Sequence, residues 1–387
     1  MKFSAIHDIR FDRNELAGAF GDIGTDFPLI IGMIIAAKLD PSNVFIMFGL
    51  MQILTGVVYK RPMAVQPLKA MAAIIIAQKI TSPVIAGAAL AIGAVMFILT
   101  LTGLIDWIAK TVPKAVVRGI QFGLGLTLGI LALKDYVVHD GMPGYILAGL
   151  LFVVVVMLWG NRKCPASLIV IGLGIIYGLL CHWGTVAKIP VVSFKTPAFF
   201  VPGWADVCTG FFILALPQIP LSIGNSVLAT KQLSQDIFPE KPITVRKIGF
   251  TYSLMNLINA FFSGIPTCHG SGGMAGHYAF GARTGGSVII YGTMYLIFGM
   301  FFSTGLDQLV KVFPFPALGI ILFFESLALM FLLKDISNSG RDLMIALMVG
   351  LIACGMKNGF LIGLLVGTLV FYIFKSFPQK IENCKKT

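Results

Sequence analysis

The stretch RPMAVQPLKAMAA, residues 61–73, places two prolines and a lysine within otherwise apolar sequence. Each proline removes a backbone donor and disfavours helix in the residue before it, so PMAVQP is not expected to be regular helix. A helix can begin at Pro67, because proline is favoured in the first turn, and continue through LKAMAAIIIA. The stretch therefore predicts irregular backbone followed by a short helix.

The chain around this stretch has the composition of a membrane protein. Of its 387 residues, 57% are hydrophobic and 12% are charged, whereas soluble globular proteins carry roughly 25% charged residues. Apolar runs near the ~20 residues that span a bilayer recur, for example VIAGAALAIGAVMFILTLTGLI and NGFLIGLLVGTLVFYIF. The sequence predicts an all-α polytopic protein of the lipid bilayer with about 14 transmembrane segments. Two of these, near residues 64–78 and 267–280, are predicted to be short and interrupted.

The net charge of +12 follows a membrane topology and gives no reason to expect a nucleic-acid partner. If the N-terminus is cytoplasmic, the loops hold 21 Lys and Arg on that side, including all eight arginines, and 7 lysines outside. This positive-inside pattern predicts that both termini are cytoplasmic and that Ser42 lies in an external loop. The expected location is the plasma membrane, as a multi-pass protein. The remaining basic residue, Lys69, falls inside the membrane.

Three landmarks recur in the same order in the two halves of the chain. GDIGTDFPL (21–29) corresponds to PLSIGNSVL (220–228), the interrupted stretch to IPTCHGSGGMAG (265–276), and VPKAVVRGI (112–120) to FPFPALGII (313–321). Because each half would hold an odd number of segments, seven, the second half is inverted, as in many secondary transporters. The predicted domains are a first inverted repeat, residues 1–200, and a second, residues 201–387. No soluble C-terminal domain is expected, since thirteen residues follow Phe374.

The two interrupted stretches predict an anion site. In GIPTCHGSGG regular helix can begin only near Ser271 or Gly272, and irregular backbone at membrane depth needs surrounding protein or a watery cavity. Two half-helices would then turn their free N–H groups and positive dipole ends towards one cavity. Lys69 lies in the first turn of one of them, where its charge is unfavourable unless an anion is shared. The alternative is that Lys69 extends to the membrane surface.

Three carboxylates also lie in apolar segments: Asp22, Asp26 and Glu325. They are candidates for coupling transport to a proton or cation or, alternatively, for hydrogen bonds that hold segments together. His269 precedes the second half-helix and could donate to an oxyanion. Arg283 follows that half-helix and is interpreted as a topology anchor.

Motifs for other chemistry are missing from the sequence. The six cysteines are scattered without CxxC spacing, so neither a disulfide framework nor a metal site is expected. No GxxxxGK[ST], HExxH or GxSxG occurs, which argues against direct use of ATP, against a cofactor and against an enzyme.

The blocks ELAGAFGDIGTDFPLI, PMAVQPLKAMAA, LPQIPLSIGNSVLATKQLSQDIFPE and GIPTCHGSGGMAGHYAFGARTGGS resemble the signature blocks of the molybdate transporter family, a branch of the sulfate permease superfamily. The resemblance implies the inverted-repeat fold of the uracil permeases, with a core domain of segments 1–4 and 8–11 and a gate domain of segments 5–7 and 12–14. It implies that segments 3 and 10 begin as short strands. The substrate site that it implies comprises Asp22, Gly24, Thr25, Gln66, Lys69, Gln218, Asn225, His269, Gly270, Ser271 and Gly272.

Together these features predict a secondary transporter of a tetrahedral oxyanion, molybdate by preference, that works by elevator-type alternating access and is a candidate for proton coupling. The alternatives are a sulfate or tungstate transporter, an anion channel on the same fold, a nucleobase permease, and a membrane-embedded enzyme or receptor. The oligomeric state is left open by the sequence, with a homodimer as one alternative.

Overall fold

In the computed structural model, residues 9–105, 107, 111–158, 166–181, 192–240 and 242–376 are described. The first half contains helices α1 Arg13–Ala19, α2 Ile23–Ala37, α3 Pro41–Tyr59, α4 Lys69–Gln78, α5 Ser82–Thr102, α6 Lys114–Leu131, α7 Gly141–Met157 and α8 Ala166–Cys181, with strand β1 Val65–Pro67 before α4. The second contains α9 Trp204–Gly210, α10 Leu216–Leu221, α11 Ala229–Ile237, α12 Val245–Phe261, α13 Ser271–Ala279, α14 Gly286–Phe301, α15 Ser303–Val312, α16 Phe315–Phe331, α17 Gly340–Gly355 and α18 Gly359–Ser376, with strand β2 Thr267–His269 before α13.

Several of these helices join into longer segments. Wider π-helical turns at Phe211–Ala215 and Ser222–Leu228 connect α9, α10 and α11, and a 3₁₀ turn at Leu332–Ile336 extends α16. Among the described residues, seven helical segments are long and apolar enough to cross a membrane: Arg13–Ala37, Pro41–Tyr59, Ser82–Thr102, Lys114–Tyr136, Trp204–Ile237, Phe315–Ile336 and Gly359–Ser376. The predicted all-α polytopic fold is confirmed, whereas the count of fourteen segments stays a prediction.

The two interrupted stretches meet as an antiparallel pair of strands. Gln66 of β1 lies opposite Cys268 of β2, and the pairing continues at one end where the Leu68 N–H donates to the Pro266 carbonyl at 3.0 Å. The prediction that helix begins at Pro67 is wrong by two residues, because Pro67 still belongs to the strand and α4 begins at Lys69. The prediction of a helix start at Ser271 is confirmed.

Two buried amide side chains close the outer edges of this strand pair. Gln52 of α3 donates to the Val65 carbonyl at 2.8 Å and accepts from the Val65 N–H at 3.0 Å. Asn256 of α12 does the same for Thr267, at 2.7 and 3.0 Å. Each amide takes the place of a neighbouring strand, so a two-stranded sheet at membrane depth keeps these backbone groups hydrogen-bonded.

The helices that hold the strands are packed through small residues. Gly49 of α3 and Gly292 of α14 face each other so closely that a Cβ on Gly49 would lie 2.5 Å from the Gly292 carbonyl oxygen. Close approach through glycine is typical of helix pairs in membranes, where no hydrophobic effect drives helices together. The carboxylate of Glu15 ties α1 to the start of α14, because it accepts from the backbone N–H groups of Thr284 and Ser287.

The described helices form two packed groups. In one group, α3 packs on α14 and α5 packs on both α12 and α9, around the strand pair. In the other, α6 packs on α16 and α17, with α7 on α16 and α18 on α17. This arrangement agrees with the core and gate domains expected from the resemblance, while the repeat boundaries at residues 200 and 201 stay a prediction.

Ser42, which was predicted to lie in an external loop, lies in a helix instead. Pro41 begins helix α3, with the Asp40 carboxylate accepting from the Asn43 N–H as its cap. Ser42 therefore lies in the first helical turn and is 1% exposed. Exposed side chains for an accessibility test are found instead at Thr196, in the predicted external region, and at Glu240, in a predicted cytoplasmic loop.

Cysteine labelling at these two positions tests the orientation of the chain. In a background with the native cysteines replaced by serine, Thr196→Cys should react with a membrane-impermeant maleimide added to intact cells, and Glu240→Cys should not. Both side chains are exposed, so their access depends on the side of the membrane. Labelling of Glu240→Cys alone would reverse the topology that the positive-inside pattern predicts.

Candidate functional site

A cavity of about 290 Å³ lies where the strand pair faces the second group of helices. The core side of its wall consists of Gln66, Lys69, Ala70, Gln218, Leu221, Asn225, Ser226, Cys268, His269, Gly270, Ser271 and Gly272. The opposite side consists of Arg118, Gln121, Leu124, Leu329 and Leu332. The residues described in this wall include two basic side chains, Lys69 and Arg118, and no carboxylate, so the cavity suits an anion.

Both half-helices begin at this cavity without a side-chain cap on their first residues. Leu68 precedes α4 and Gly270 precedes α13, and neither position has a side-chain capping hydrogen bond. One N–H of the first turn of α4, that of Met71, is taken by the Gln218 side chain at 3.2 Å. The N-termini point to the same space because the strands that precede them are paired, and their N–H groups and dipoles favour a negative charge there.

Lys69 is the first residue of α4 and lines the cavity. Its ammonium makes no salt bridge or hydrogen bond to any residue in the described part of the chain. Glu325 and Asp22 attract it electrostatically from outside the cavity wall. A cation held at membrane depth with no direct partner is a ready counter-ion for a bound anion.

The glycines before and within the first turn of α13 differ in what they face. A Cβ on Gly270 would lie 2.2 Å from the Gln66 side chain, and one on Gly273 would lie 2.2 Å from an Asp22 carboxylate oxygen. A Cβ on Gly272 would meet nothing closer than the Gln66 amide nitrogen at 4.0 Å. Gly272 therefore leaves open cavity space beside the helix N-terminus, while the other two glycines are required by packing. Ser271, which the sequence suggested as an N-cap, is the first helical residue, and Gly270 holds the cap position.

Asp22 is connected to the cavity through Gln66. The Gln66 amide nitrogen lies 2.7 and 2.9 Å from the two Asp22 carboxylate oxygens. Asp22 is buried at the start of α2, and this contact orients Gln66 in the cavity wall. Gly24 and Thr25 lie in the first turn of α2, outside the wall that the described residues form.

Asp26 is a buried carboxylate close to Asp22. It is 0% exposed, and neither of its oxygens has a hydrogen-bond partner among the described residues. The other buried side chains that have no hydrogen-bond partner on any polar atom in the described chain include the imidazole of His277 and the hydroxyl of Ser287. Unpartnered buried polar groups are costly, which marks this region as a place where a proton, an ion or water is expected to be accommodated.

The imidazole of His269 points towards a series of hydrogen-bonded side chains behind the cavity. Its Nε2 lies 2.6 Å from the Thr251 hydroxyl, which lies 2.6 Å from the Tyr59 hydroxyl. Its Nδ1 has no partner among the described residues. His269 thus forms part of the wall, but its Nε2 is already hydrogen-bonded, and its contact with an oxyanion stays a prediction.

Sequence reasoning missed the contribution of α6. Arg118 and Gln121 line the cavity from the side opposite the half-helices. Arg118 was assigned to a cytoplasmic loop in the charge count, yet it lies within the second turn of helix Lys114–Leu131. The available signal was its position in VPKAVVRGI, where Pro113 starts a helix and brings Arg118 into it.

The sequence of this chain is similar to a known protein family and to individual proteins of known name. Residues 14–128 and 210–329 match the family model described as "Molybdate transporter of MFS superfamily". The chain is 31% identical to "Molybdate transporter 1" of Arabidopsis thaliana, with 93% of this chain and 87% of the relative covered. It is 33% identical to "Molybdate transporter 2" of the same plant, covering 86% of this chain and 81% of the relative.

Solved structures share the fold at lower sequence identity. The transmembrane domain of a cyanobacterium bicarbonate transporter, BicA, superimposes with a TM-score of 0.67 at 16% identity. The match covers 92% of this chain and 98% of that domain. Because the identity is low, this similarity supports the fold of an integral multi-pass membrane protein and leaves the substrate to other evidence.

Proposed function

This chain belongs to the molybdate transporter family, and we propose that it is a secondary transporter that carries molybdate, or a related tetrahedral oxyanion, across the membrane. The proposal depends on one observation above all. The cavity wall places Lys69 beside the N-termini of two half-helices and contains no described carboxylate. A tetrahedral dianion matches this charge, and its oxygens can accept from backbone N–H groups at both helix N-termini.

The proposed binding residues divide by the chemistry they offer. Lys69 supplies charge, and the N–H groups of the Gly270–Gly272 stretch supply backbone donors. The side chains of Gln66, Gln218 and Asn225 supply neutral donors that can adapt to the four oxygens. Asp22 orients Gln66 and, with Gly24 and Thr25, forms the layer behind it; His269 completes the wall. An enzyme function is not proposed.

We infer an elevator-type mechanism from the position of the cavity between the two groups of helices. The half-helices and their strands belong to one group, while α6 and α16 face them from the other. Sliding of the first group, with the anion bound, along the second would move the site from one side of the membrane to the other. The charge asymmetry of the loops supports cytoplasmic termini. The proposal places the protein in the plasma membrane, with a homodimer as the candidate assembly.

Competition binding tests the substrate directly. The purified protein should bind molybdate, and unlabelled tungstate and sulfate should compete with it, because all three are tetrahedral dianions. Uracil should not compete, since a neutral nucleobase gains little from Lys69 and two helix dipoles. Displacement by uracil alone would favour a nucleobase permease. Uptake into vesicles against a molybdate gradient would separate a transporter from an anion channel.

Substitution of Lys69 tests whether this lysine binds the anion or anchors the chain at the membrane surface. Lys69→Ala should weaken molybdate binding about ten- to a hundredfold, because it removes a charge-assisted contact from a site that is shielded from water. Arg283→Ala is the matched control, because Arg283 is exposed, donates to backbone carbonyls and lies over the Tyr278 ring. Its affinity should stay near that of the wild type. Equal losses of affinity in the two variants would show that the binding role of Lys69 and the anchoring role of Arg283 are assigned wrongly.

Gly272→Val tests whether the anion approaches the N-terminus of α13. The new side chain would enter open cavity and exclude an oxyanion, so uptake of radiolabelled molybdate should fall to background while the protein still folds. Gly149→Val is the control, because Gly149 is a helical glycine of α7 whose Cβ would also meet no atom within 4 Å, but it lies outside the cavity. Normal uptake by Gly272→Val at matched surface expression would remove α13 from the site.

For coupling, we propose that Asp26 exchanges a proton during the transport cycle. A buried carboxyl without hydrogen-bond partners is far less costly when neutral than when ionised, so this conformation favours the protonated form. The charged groups that act on it are Asp22, Lys69 and Glu325, and the hydroxyls of Tyr291 and Tyr295 are within its electrostatic range. Glu325 and Asp22, both near Lys69, are the other candidates for this role.

Asp26→Asn tests this assignment, because asparagine has the shape of a protonated aspartate and cannot release the proton. In proteoliposomes, the variant should still bind molybdate but should no longer accumulate it when an inward proton gradient is imposed. Wild-type protein should accumulate it under the same gradient. Proton-driven accumulation by Asp26→Asn equal to that of the wild type would exclude Asp26 as the coupling residue.

A further inference from the structure

The wall of the cavity opposite the half-helices contains a second cation. Arg118 of α6 lines the same cavity as Lys69, although the two residues belong to different groups of helices. Arg118 is one turn from Gln121 and faces the site together with it. The cavity therefore has a cation on each side, and only the one beside the half-helices belongs to the site proposed above.

The guanidinium of Arg118 is held, but not fully satisfied. One terminal nitrogen donates to the Gln121 side-chain oxygen at 2.8 Å, and the other is paired with Asp335 in the turn after α16. The same Asp335 oxygen lies 3.9 Å from the Lys114 ammonium. The Nε of Arg118 is buried and has no hydrogen-bond partner in the described part of the chain.

Arg118 therefore has a buried Nε–H donor that is available to bind a ligand. Its planar fork of N–H groups can bind two oxygens of one oxyanion in a fixed bidentate geometry that a lysine ammonium does not provide. A buried N–H without a partner is costly, so an anion oxygen that reached it would remove a cost as well as add an attraction. The side chain is 14% exposed, whereas that of its partner Asp335 is 43% exposed, so the carboxylate can turn to solvent more easily than the guanidinium.

We propose that Arg118 is a second cationic ligand of the oxyanion, and that Asp335 occupies it when the site is empty. The inference rests on the proposed function, because it assigns a further residue to the same anion site. The anion and the Asp335 carboxylate compete for one guanidinium, so binding of the anion releases Asp335. Because Arg118 lies on the helices that the carried site slides past, its contact with the anion is made only while the cavity faces α6.

The competition predicts opposite effects from the two partners of one ion pair. Arg118→Gln should weaken molybdate binding about ten- to a hundredfold, through loss of a charge-assisted contact. Asp335→Asn should tighten it about two- to fivefold, the scale of a partly exposed ion pair that the anion no longer has to break. In the double variant the tightening should disappear, because no guanidinium remains to be released. Arg118→Lys should bind between Arg118→Gln and wild type.

The experiment is titration of the purified full chain with molybdate, after thermal unfolding has shown that each variant is folded. Arg341→Gln and Asp342→Asn serve as controls, because Arg341 and Asp342 form a partly exposed ion pair of 3.9 Å that lies outside the cavity wall. Neither control should change the affinity.

Two results would overturn the inference: wild-type affinity in Arg118→Gln, or no tightening in Asp335→Asn. The second result decides the matter even if Arg118→Gln fails to fold. A purely structural ion pair would give losses in both single variants, which contradicts the expected gain. Failure of the wild-type protein to bind molybdate would instead overturn the proposed function, and the inference with it.

Discussion

Everything in this protein depends on a pair of three-residue strands that meet at membrane depth. A strand in such surroundings has backbone groups that lipid cannot satisfy, and two strands satisfy only their facing edges. The side-chain amides of Gln52 and Asn256 close the other edges. Because the pairing fixes where each strand ends, it also fixes where α4 and α13 begin, and both begin at the same cavity. The proposed anion site is thus a consequence of backbone hydrogen bonding, to which the side chains add charge.

The charges of the site are separated by position. Lys69 and Arg118 face the cavity, whereas Asp22, Asp26 and Glu325 lie outside its wall. Asp22 is hydrogen-bonded to Gln66, and Asp26 is left without a partner in the described chain. A dianion can therefore approach Lys69 without meeting a carboxylate directly, while the acidic groups near it remain close enough to respond to its charge. At Arg118 it meets the Asp335 carboxylate instead. This separation is what makes binding and coupling distinguishable by substitution.

Part of the fold and of the candidate site was predictable from the sequence, and the rest was not. The prolines in RPMAVQPLKAMAA predicted the interrupted segment that the structure shows, because proline chemistry is local. Lys69 led to the anion site, which stays a prediction, because a charge in lipid is rare. The start of α4 was missed by two residues because Pro67 pairs with Thr267, a contact far along the chain. Ser42 was misplaced for a local reason, since Pro41 starts a helix with Asp40 as its cap. Arg118 was missed because facing a cavity is a property of packing between helices, which charge counting along the loops does not detect.

The strand pair also bears on the order in which the chain can be assembled. β1 is synthesised long before β2, and until Thr267–His269 emerges the strand has no backbone partner in the bilayer. Its amide clamp, however, comes from Gln52 in the preceding helix, so this half of the hydrogen bonding can form at once. β2 likewise finds Asn256 just before it in the chain. The backbone groups of each strand are thus partly hydrogen-bonded before the two strands can pair, and the pairing itself becomes available only once β2 has been synthesised. A ribosome that stalls between the two strands would leave an intermediate with one exposed polar edge in lipid, a natural mark for membrane quality control.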